Sequence, residues 1–232
     1  LPYINWAIAA SLFTGRDYAF HTQMHFYLYD SQTKIFKNLT ENYEKDHGYL
    51  STPVFSPDGK KIAFGMMKRD KFEADINELH IYDFDSNSIT KVKSTFKESV
   101  GSIVWSHDNE TIFFTGGWHG HNGIYQISLK NEVVVQLTTN EFDYNGSLQY
   151  LNGHLYILRS SMTLPHDLVS IELQSKHVFQ ITYENKHIFD QLNQVKYEER
   201  WIKSSVDDKK IHCYIIYPPN FDSDKKYPCI LF

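Results

Sequence analysis

The sequence predicts an all-β fold, an incomplete β-propeller read as consecutive four-stranded blades. Three observations carry that reading. A unit repeats along the chain: Phe26, Leu79, Ile124 and Leu168 each open a strand of the same shape, 53, 45 and 44 residues apart. Thirteen positions after each stands an apolar residue, Leu39, Val92, Leu137 and Ile181, and three of these four precede a threonine, Thr40, Thr138 and Thr182. Each unit is cut by turn residues into short runs rich in β-branched and aromatic side chains, the patterning of strands rather than helices. The turns repeat as well: Val54-Phe55-Ser56-Pro57-Asp58-Gly59 matches Val104-Trp105-Ser106-His107-Asp108-Asn109. Proline presets φ at the second turn position, aspartate bonds its own backbone, and Gly59 or Asn109 tolerates the left-handed conformation. A period in the forties with four strands per repeat is that of propeller blades; a β-sandwich would hold no fixed register over four copies.

Taken in order, residues 1–20 read as a strand over 4–8 and a loop over 14–18, left over from an earlier blade. Residues 25–40 add two outer strands to it. The stretches 52–93, 102–138 and 147–182 are blades read whole, the third with a shorter turn at Asn152-Gly153. Residues 187–195 carry no turn punctuation and read as an extended or partly helical connector. Residues 197–205 and 211–217 are two strands around Asp207-Asp208, Pro218-Pro219 makes a rigid exit, and residues 227–232 start a buried strand. The expected division is therefore 1–195, a partial propeller of about three complete blades plus part of another, and 196–232, a separate piece. With leucine at position 1 and an apolar strand at the other end, both ends are read as cuts.

With 41% hydrophobic and 16% aromatic residues among 232, the chain can bury a substantial core. A net charge of −5 excludes the basic surface of a nucleic-acid binder. The longest apolar run, residues 4–13, is broken by Asn5 and Ser11, is too short to span a membrane, and lacks the basic start of a signal peptide. Cys213 and Cys229 read as free thiols. Sequons at Asn38, Asn109 and Asn145 matter only in a eukaryotic secretory setting. His119 and His121 form a pair without a third ligand nearby, so neither a metal nor another cofactor is expected. No Gly-x-Ser-x-Gly nucleophile turn occurs; Gly101-Ser102 and Gly146-Ser147 lie in blade strands.

One constellation rises above these. Residues 69–75, Arg-Asp-Lys-Phe-Glu-Ala-Asp, form a long charged insertion between the second and third strands of a blade, where propeller loops carry recognition. A solvated hairpin tip is the competing reading. Residues 203–232, with Ile211-His212 before a strand, Tyr217-Pro218-Pro219-Asn220-Phe221-Asp222 and Lys225-Lys226-Tyr227-Pro228, resemble the opening of the α/β-hydrolase domain in the prolyl-oligopeptidase family. In that family a β-propeller precedes and covers a serine-peptidase domain. Thr14-Gly15-Arg16-Asp17-Tyr18-Ala19, Ser56-Pro57-Asp58-Gly59-Lys60 and the 67–75 segment look most like its dipeptidyl-peptidase and acylaminoacyl-peptidase branch. The sequence departs from the family pattern at Lys71 and Phe72, where glycine and tyrosine are expected, at Ile76 for a basic residue, and at Asp208 for glycine.

The resemblance implies the propeller portion of a secreted-type serine peptidase that releases dipeptides from peptide N-termini. The propeller would gate access and anchor the substrate amine. The catalytic triad would lie beyond Phe232, so the chain by itself is expected to be inactive. Its partners would be a peptide substrate and the remainder of its own catalytic domain, with a homodimer of the full-length enzyme admitted and a periplasmic or secreted location. An enzyme that measures two residues from a free amino terminus does so most simply by holding the α-ammonium with carboxylates. Glu73 is the first candidate. Asp75 is the second anchor or a structural partner of Arg69, which could orient both through charge-assisted bonds; the two carboxylates share a direction if the segment is extended. The alternative function is a non-catalytic propeller, a binding or scaffold module.

Overall fold

The thirteen-residue spacing has a backbone cause. In the computed structural model, which describes residues 6–10, 16–41, 43, 46–193 and 195–231, the later residue of each pair donates its N–H to the carbonyl of the earlier one. Leu39 reaches Phe26 at 2.8 Å, Val92 reaches Leu79 at 2.9 Å, Leu137 reaches Ile124 at 2.8 Å and Ile181 reaches Leu168 at 2.9 Å. The threonine hydroxyls return the contact: Thr40, Thr138 and Thr182 Oγ1 accept the N–H of Phe26, Ile124 and Leu168 at 3.3, 3.0 and 2.9 Å. Threonine thereby captures donors that the end of the ladder would leave unpaired.

The blades are antiparallel meanders. Among the described residues the first has three strands, β1 (Trp6–Ala10), β2 (His25–Tyr29) and β3 (Phe36–Asn38). The second runs β4 (Val54–Phe55), β5 (Lys61–Met66), β6 (Glu78–Asp83) and β7 (Ser88–Lys91). The third has β8 (Val100–Trp105), β9 (Thr111–Trp118), β10 (His121–Ser128) and β11 (Val134–Gln136). The fourth has β12 (Asp143–Leu151), β13 (His154–Ser161), β14 (Leu164–Glu172) and β15 (Val178–Gln180). These are β-propeller blades, and the core lies between them.

Middle strands such as β5 carry consecutive apolar residues, here Ile62, Ala63 and Phe64, because both of their faces are covered. Successive side chains of a strand point to opposite faces. Ile62, Phe64 and Met66 accordingly pack with Phe26 of the first blade, while Ala63 packs with Ile103, Trp105 and Phe114 of the third. On β9 the same division sends Ile112 and Phe114 toward the second blade and Phe113 toward Leu155 and Val169 of the fourth. Polar stitches reinforce each seam. Trp105 Nε1 donates to the Val54 carbonyl at 3.0 Å, and Leu148 N to Ser102 Oγ at 2.9 Å.

The turn chemistry is the one the sequence announces. Ser56 Oγ donates to Asp58 at 2.6 Å, Asp58 accepts from Lys60 N at 3.0 Å, and Lys61 N donates back to Ser56 Oγ at 2.9 Å. Ser106, Asp108, Glu110 and Thr111 repeat the arrangement. Gly59 has φ +74° and Asn109 φ +62°. A side chain added at Gly59 would meet no atom within 4 Å, so any penalty there is one of backbone conformation alone. Gly59→Val is expected to cost about 1–3 kcal/mol, and Gly59→Asn well under half of that, as measured by urea unfolding. Equal losses for the two would show that the turn is misassigned.

Elsewhere the structure departs from expectation. The first strand is seen over Trp6–Ala10, the first two residues of the expected 4–8 lying outside the described ones. Of the expected 14–18 loop, residues 14 and 15 also lie outside; Asp17–Phe20 forms a single 3₁₀ turn. The connector holds one helical turn, α1 (Lys186–Phe189). The two strands near the end form a separate hairpin, β16 (Tyr197–Lys203) and β17 (Lys210–Ile216). Residues 227–231 are not the expected buried strand. They are irregular and open to solvent, with Ile230 78% and Leu231 95% exposed. Apolar composition alone does not make a strand, which needs a neighbouring ladder to bond, and no described residue supplies one here.

The β16–β17 hairpin leans on the tip of the β9–β10 hairpin. Trp201 stacks on His212 with centroids 4.3 Å apart, and His119 sits edge-on to Trp201 at 5.0 Å. Tyr214 Oη donates to the His119 carbonyl at 3.3 Å and lies 3.2 Å from His121 Nε2. His119 and His121, read in the sequence as a bare pair, therefore belong to an aromatic junction between a blade and the hairpin that follows the blades.

Candidate functional site

The insertion between β5 and β6 is built from backbone outward. Met67, just past β5, exchanges hydrogen bonds with the 48–49 segment: Gly48 N donates to its carbonyl and its own N–H to Tyr49 O, both at 2.9 Å. The chain then loops away from the blade and closes on itself. Arg69 Nε lies 3.2 and 3.0 Å from the two carboxylate oxygens of Asp75, and its Nη2 donates to the same group. The guanidinium also stacks 3.7 Å above the Phe72 ring. The hydrogen bonds from Arg69 hold the Asp75 carboxyl below the usual carboxylate range. Arg69 and Asp75 thus form a bidentate brace across the base of the loop.

Residues 73–75 are a turn rather than an extended segment, so Glu73 and Asp75 do not act side by side. Asp75 is committed to Arg69, and Arg69 does not reach Glu73. Glu73 is exposed at the loop's apex and has no hydrogen-bond or ion-pair partner among the described residues. It lines an open cleft of about 800 Å³ together with His21, Thr22, Met24, Tyr49 and Asn77. The three residues singled out in the sequence therefore separate into a brace, Arg69 with Asp75, and one uncommitted carboxylate, Glu73.

Two contributors were not legible in the sequence. Asp70 holds the loop to the preceding blade: its Oδ1 accepts the N–H of Thr22 at 2.8 Å and of Gln23 at 3.0 Å, and its Oδ2 lies 2.5 Å from His21 Nδ1. Burial alone would raise the pKa of this carboxyl, yet the bonds from His21, Thr22 and Gln23 outweigh it and hold the pKa below the ordinary value. A depressed carboxylate pKa means that the contact's stabilisation is present above the unfolded pKa, near 4, and is lost as pH falls through the folded one. Gly48 is the second. A Cβ there would come within 2.3 Å of the Arg69 carbonyl oxygen, so glycine is what lets the loop lie against the 46–50 segment. Lys71 has φ +64° and Asp208 φ +59°, which explains why the family pattern favours glycine at both positions.

A second cavity, of about 300 Å³, lies beside α1 and is lined by Phe142, Arg159, Tyr183 and Phe189. Its guanidinium is already engaged by Gln180 at 2.6 Å and by the Phe142 ring at 4.1 Å. The cleft beside Glu73 is the better candidate because its carboxylate is uncommitted.

No family model matches the chain. The dipeptidyl-peptidase 5 of Porphyromonas gingivalis is 33% identical over 228 residues, which make up 98% of this chain and 33% of that protein. An acylaminoacyl peptidase solved in complex with Z-Gly-Gly-Phe-chloromethyl ketone superposes with a TM-score of 0.71, covering 97% of this chain and 32% of that one at 18% identity. TolB from Acinetobacter baumannii superposes with a TM-score of 0.55 over 88% of this chain and 48% of that one, at 16% identity. The chain spans about a third of the length of the curated relatives that it matches. Fold and blades together define a β-propeller protein of the class seen in TolB and in acylaminoacyl peptidases. Within that class the chain is similar in sequence to dipeptidyl-peptidase 5, and so resembles the prolyl-oligopeptidase family.

Proposed function

We propose that the chain is the propeller segment of a serine peptidase releasing dipeptides from peptide N-termini, and that Glu73 anchors the substrate's α-ammonium. The observation that carries this reading is the uncommitted Glu73 carboxylate on a cleft wall, at the apex of a braced loop. A peptide amine arriving there meets a negative charge with no internal competitor. Holding the amine at one end fixes the distance to the carbonyl at the other, which is how proximity becomes rate. Arg69 and Asp75 shape the loop without touching the amine. On this reading residues 1–195 are the propeller part and residues 196–232, including the β16–β17 hairpin, begin the α/β-hydrolase domain. The serine, histidine and aspartate of the reaction belong to another part of the complete protein, because no Gly-x-Ser-x-Gly occurs in these residues. The chain alone is then inactive, with the propeller gating the site of a periplasmic or secreted enzyme.

The likeness to TolB supports a second reading, a non-catalytic propeller that binds or scaffolds. The names of the relatives and the β16–β17 hairpin after the last blade favour the peptidase. The deciding experiment is Glu73→Gln in the complete peptidase, assayed on one dipeptidyl substrate with a free and with an N-acetylated terminus. Leaving a desolvated charge unpaired costs about 3–5 kcal/mol, whereas an exposed rim contact is worth under about 1. A fall in kcat/KM of about a hundredfold or more is expected for the free amine, with little change for the blocked one. Equal responses would remove Glu73 from the site.

A further inference from the structure

We infer that Asp70 is the positioning residue of the Glu73 loop, setting where the substrate ammonium is held by latching the loop to the first blade. This inference rests on the reading of Glu73 as the amine anchor. Arg69 and Asp75 close the loop on itself but do not tie it to anything outside. Asp70 does. Its side chain is only 14% exposed and reaches back 47 to 49 residues, to the segment between the 3₁₀ turn and β2. There Oδ1 takes two consecutive backbone N–H groups, from Thr22 and Gln23, and is 3.5 Å from Thr22 Oγ1, while Oδ2 takes His21. Two successive backbone donors converging on one carboxylate form an anion-binding concavity, and bonds of this kind are charge-assisted.

The latch is reciprocal. Thr22 Oγ1 accepts the N–H of Lys71 at 2.9 Å, so the residue after Asp70 is bound to the same segment in the opposite sense. The positive φ at Lys71 follows from this double attachment, since the chain must turn sharply between the latch and the apex. Glu73 lies three residues from Asp70, roughly 10 Å along the chain at most, and shares its cleft with His21 and Thr22. One carboxylate thereby fixes both the loop that carries the anchor and the cleft wall beside it. An error of about 1 Å in such a contact can cost a hundredfold in rate, so loss of the latch is expected to appear in substrate use before it appears in the blades.

The test uses Asp70→Ala and Asp70→Asn in the complete peptidase, with two readouts. Amide hydrogen exchange should quicken at Thr22 and Gln23 in the alanine variant while amides of β5 keep their protection. Unchanged exchange at Thr22 and Gln23 would overturn the latch itself. In kinetics, Asp70→Ala should raise KM and lower kcat/KM about 10- to 100-fold for the free-amine substrate, leaving the N-acetylated substrate unaffected. Asp70→Asn should recover part of the loss, because its amide oxygen can still accept the two backbone protons. An equal loss on both substrates would reduce Asp70 to a structural residue and sink the positioning role, as would faster exchange with unaltered kinetics. Glu73→Gln is run in parallel: if it leaves the free-amine substrate untouched, the anchor reading fails, whereas the exchange data still judge the latch.

Discussion

Phe64→Ala is expected to destabilise the protein by about 3–5 kcal/mol, the usual cost of removing a fully buried aromatic side chain. Phe64 is 0% exposed and lies in the cluster between the first and second blades. Its ring meets Phe26 edge-on with centroids 4.6 Å apart and stacks over His80 at 6.0 Å. Neither neighbour can move in to fill the space. Phe26 is held by its bonds to Leu39 and Thr40, and His80 is paired across to Phe64 and Lys91 in the ladder. A cavity that cannot collapse carries the higher end of the penalty. Thermal unfolding followed by circular dichroism should show a drop in Tm of roughly 6–20 °C for a chain of this size. Phe36→Ala on the outer strand β3, where the ring is 58% exposed, should change stability by no more than about 0.5 kcal/mol. Similar losses for the two variants would mean that β5 is not the buried middle strand of its blade.

The contrast between these two phenylalanines shows what the sequence does and does not reveal. That both lie in strands is legible, because period-2 patterning and turn residues are local. The pairing of Phe26 with Leu39 is legible too, since the hydrogen bond behind it spans a fixed thirteen residues in every blade. So are the turns at Asp58 and Asp108, whose carboxylates bond only within the turn. Which blade a given side chain faces is harder to read, because it depends on the order of the sheets around the propeller. The site divides in the same way. Residues 69–75 stand out as a charged insertion in the right place, and the departure at Lys71 marks a backbone conformation. The extended segment that would have pointed Glu73 and Asp75 the same way is not formed; the bidentate Arg69 brace closes a turn instead. Asp70 looks like one more solvated charge until its partners, 47 to 49 residues upstream, come into view. The strand expected over 227–232 failed for a related reason: composition can nominate a strand but cannot provide the strand beside it.

Gly48→Ala is expected to unseat the Glu73 loop at a cost of about 3–5 kcal/mol. The added methyl would stand 2.3 Å from the Arg69 carbonyl oxygen and 3.0 Å from Thr22 Oγ1, whereas carbon and carbonyl oxygen settle no closer than about 3.3 Å. The first of these atoms is backbone, so no side-chain rotation relieves the overlap. Arg69 cannot simply retreat, because Met67 on one side is bonded to Gly48 and Tyr49 and Asp70 on the other is bonded to Thr22 and Gln23. A shift of about 1 Å must break one of those attachments. Overpacking of this kind costs about 1–3 kcal/mol, and losing hydrogen bonds to a charged group adds about 1.5–3. Denaturant unfolding measures the total. Gly117→Ala is the matched control: it lies in β9 at an ordinary φ, and its nearest atom is the His121 carbonyl oxygen at 4.0 Å. Hydrogen exchange at Thr22 and Gln23 should rise in the Gly48 variant and stay unchanged in the Gly117 one. If Gly48→Ala proves as stable and as well protected as Gly117→Ala, the loop does not rest on Gly48, and the seating of Glu73 must come from the Asp70 latch alone.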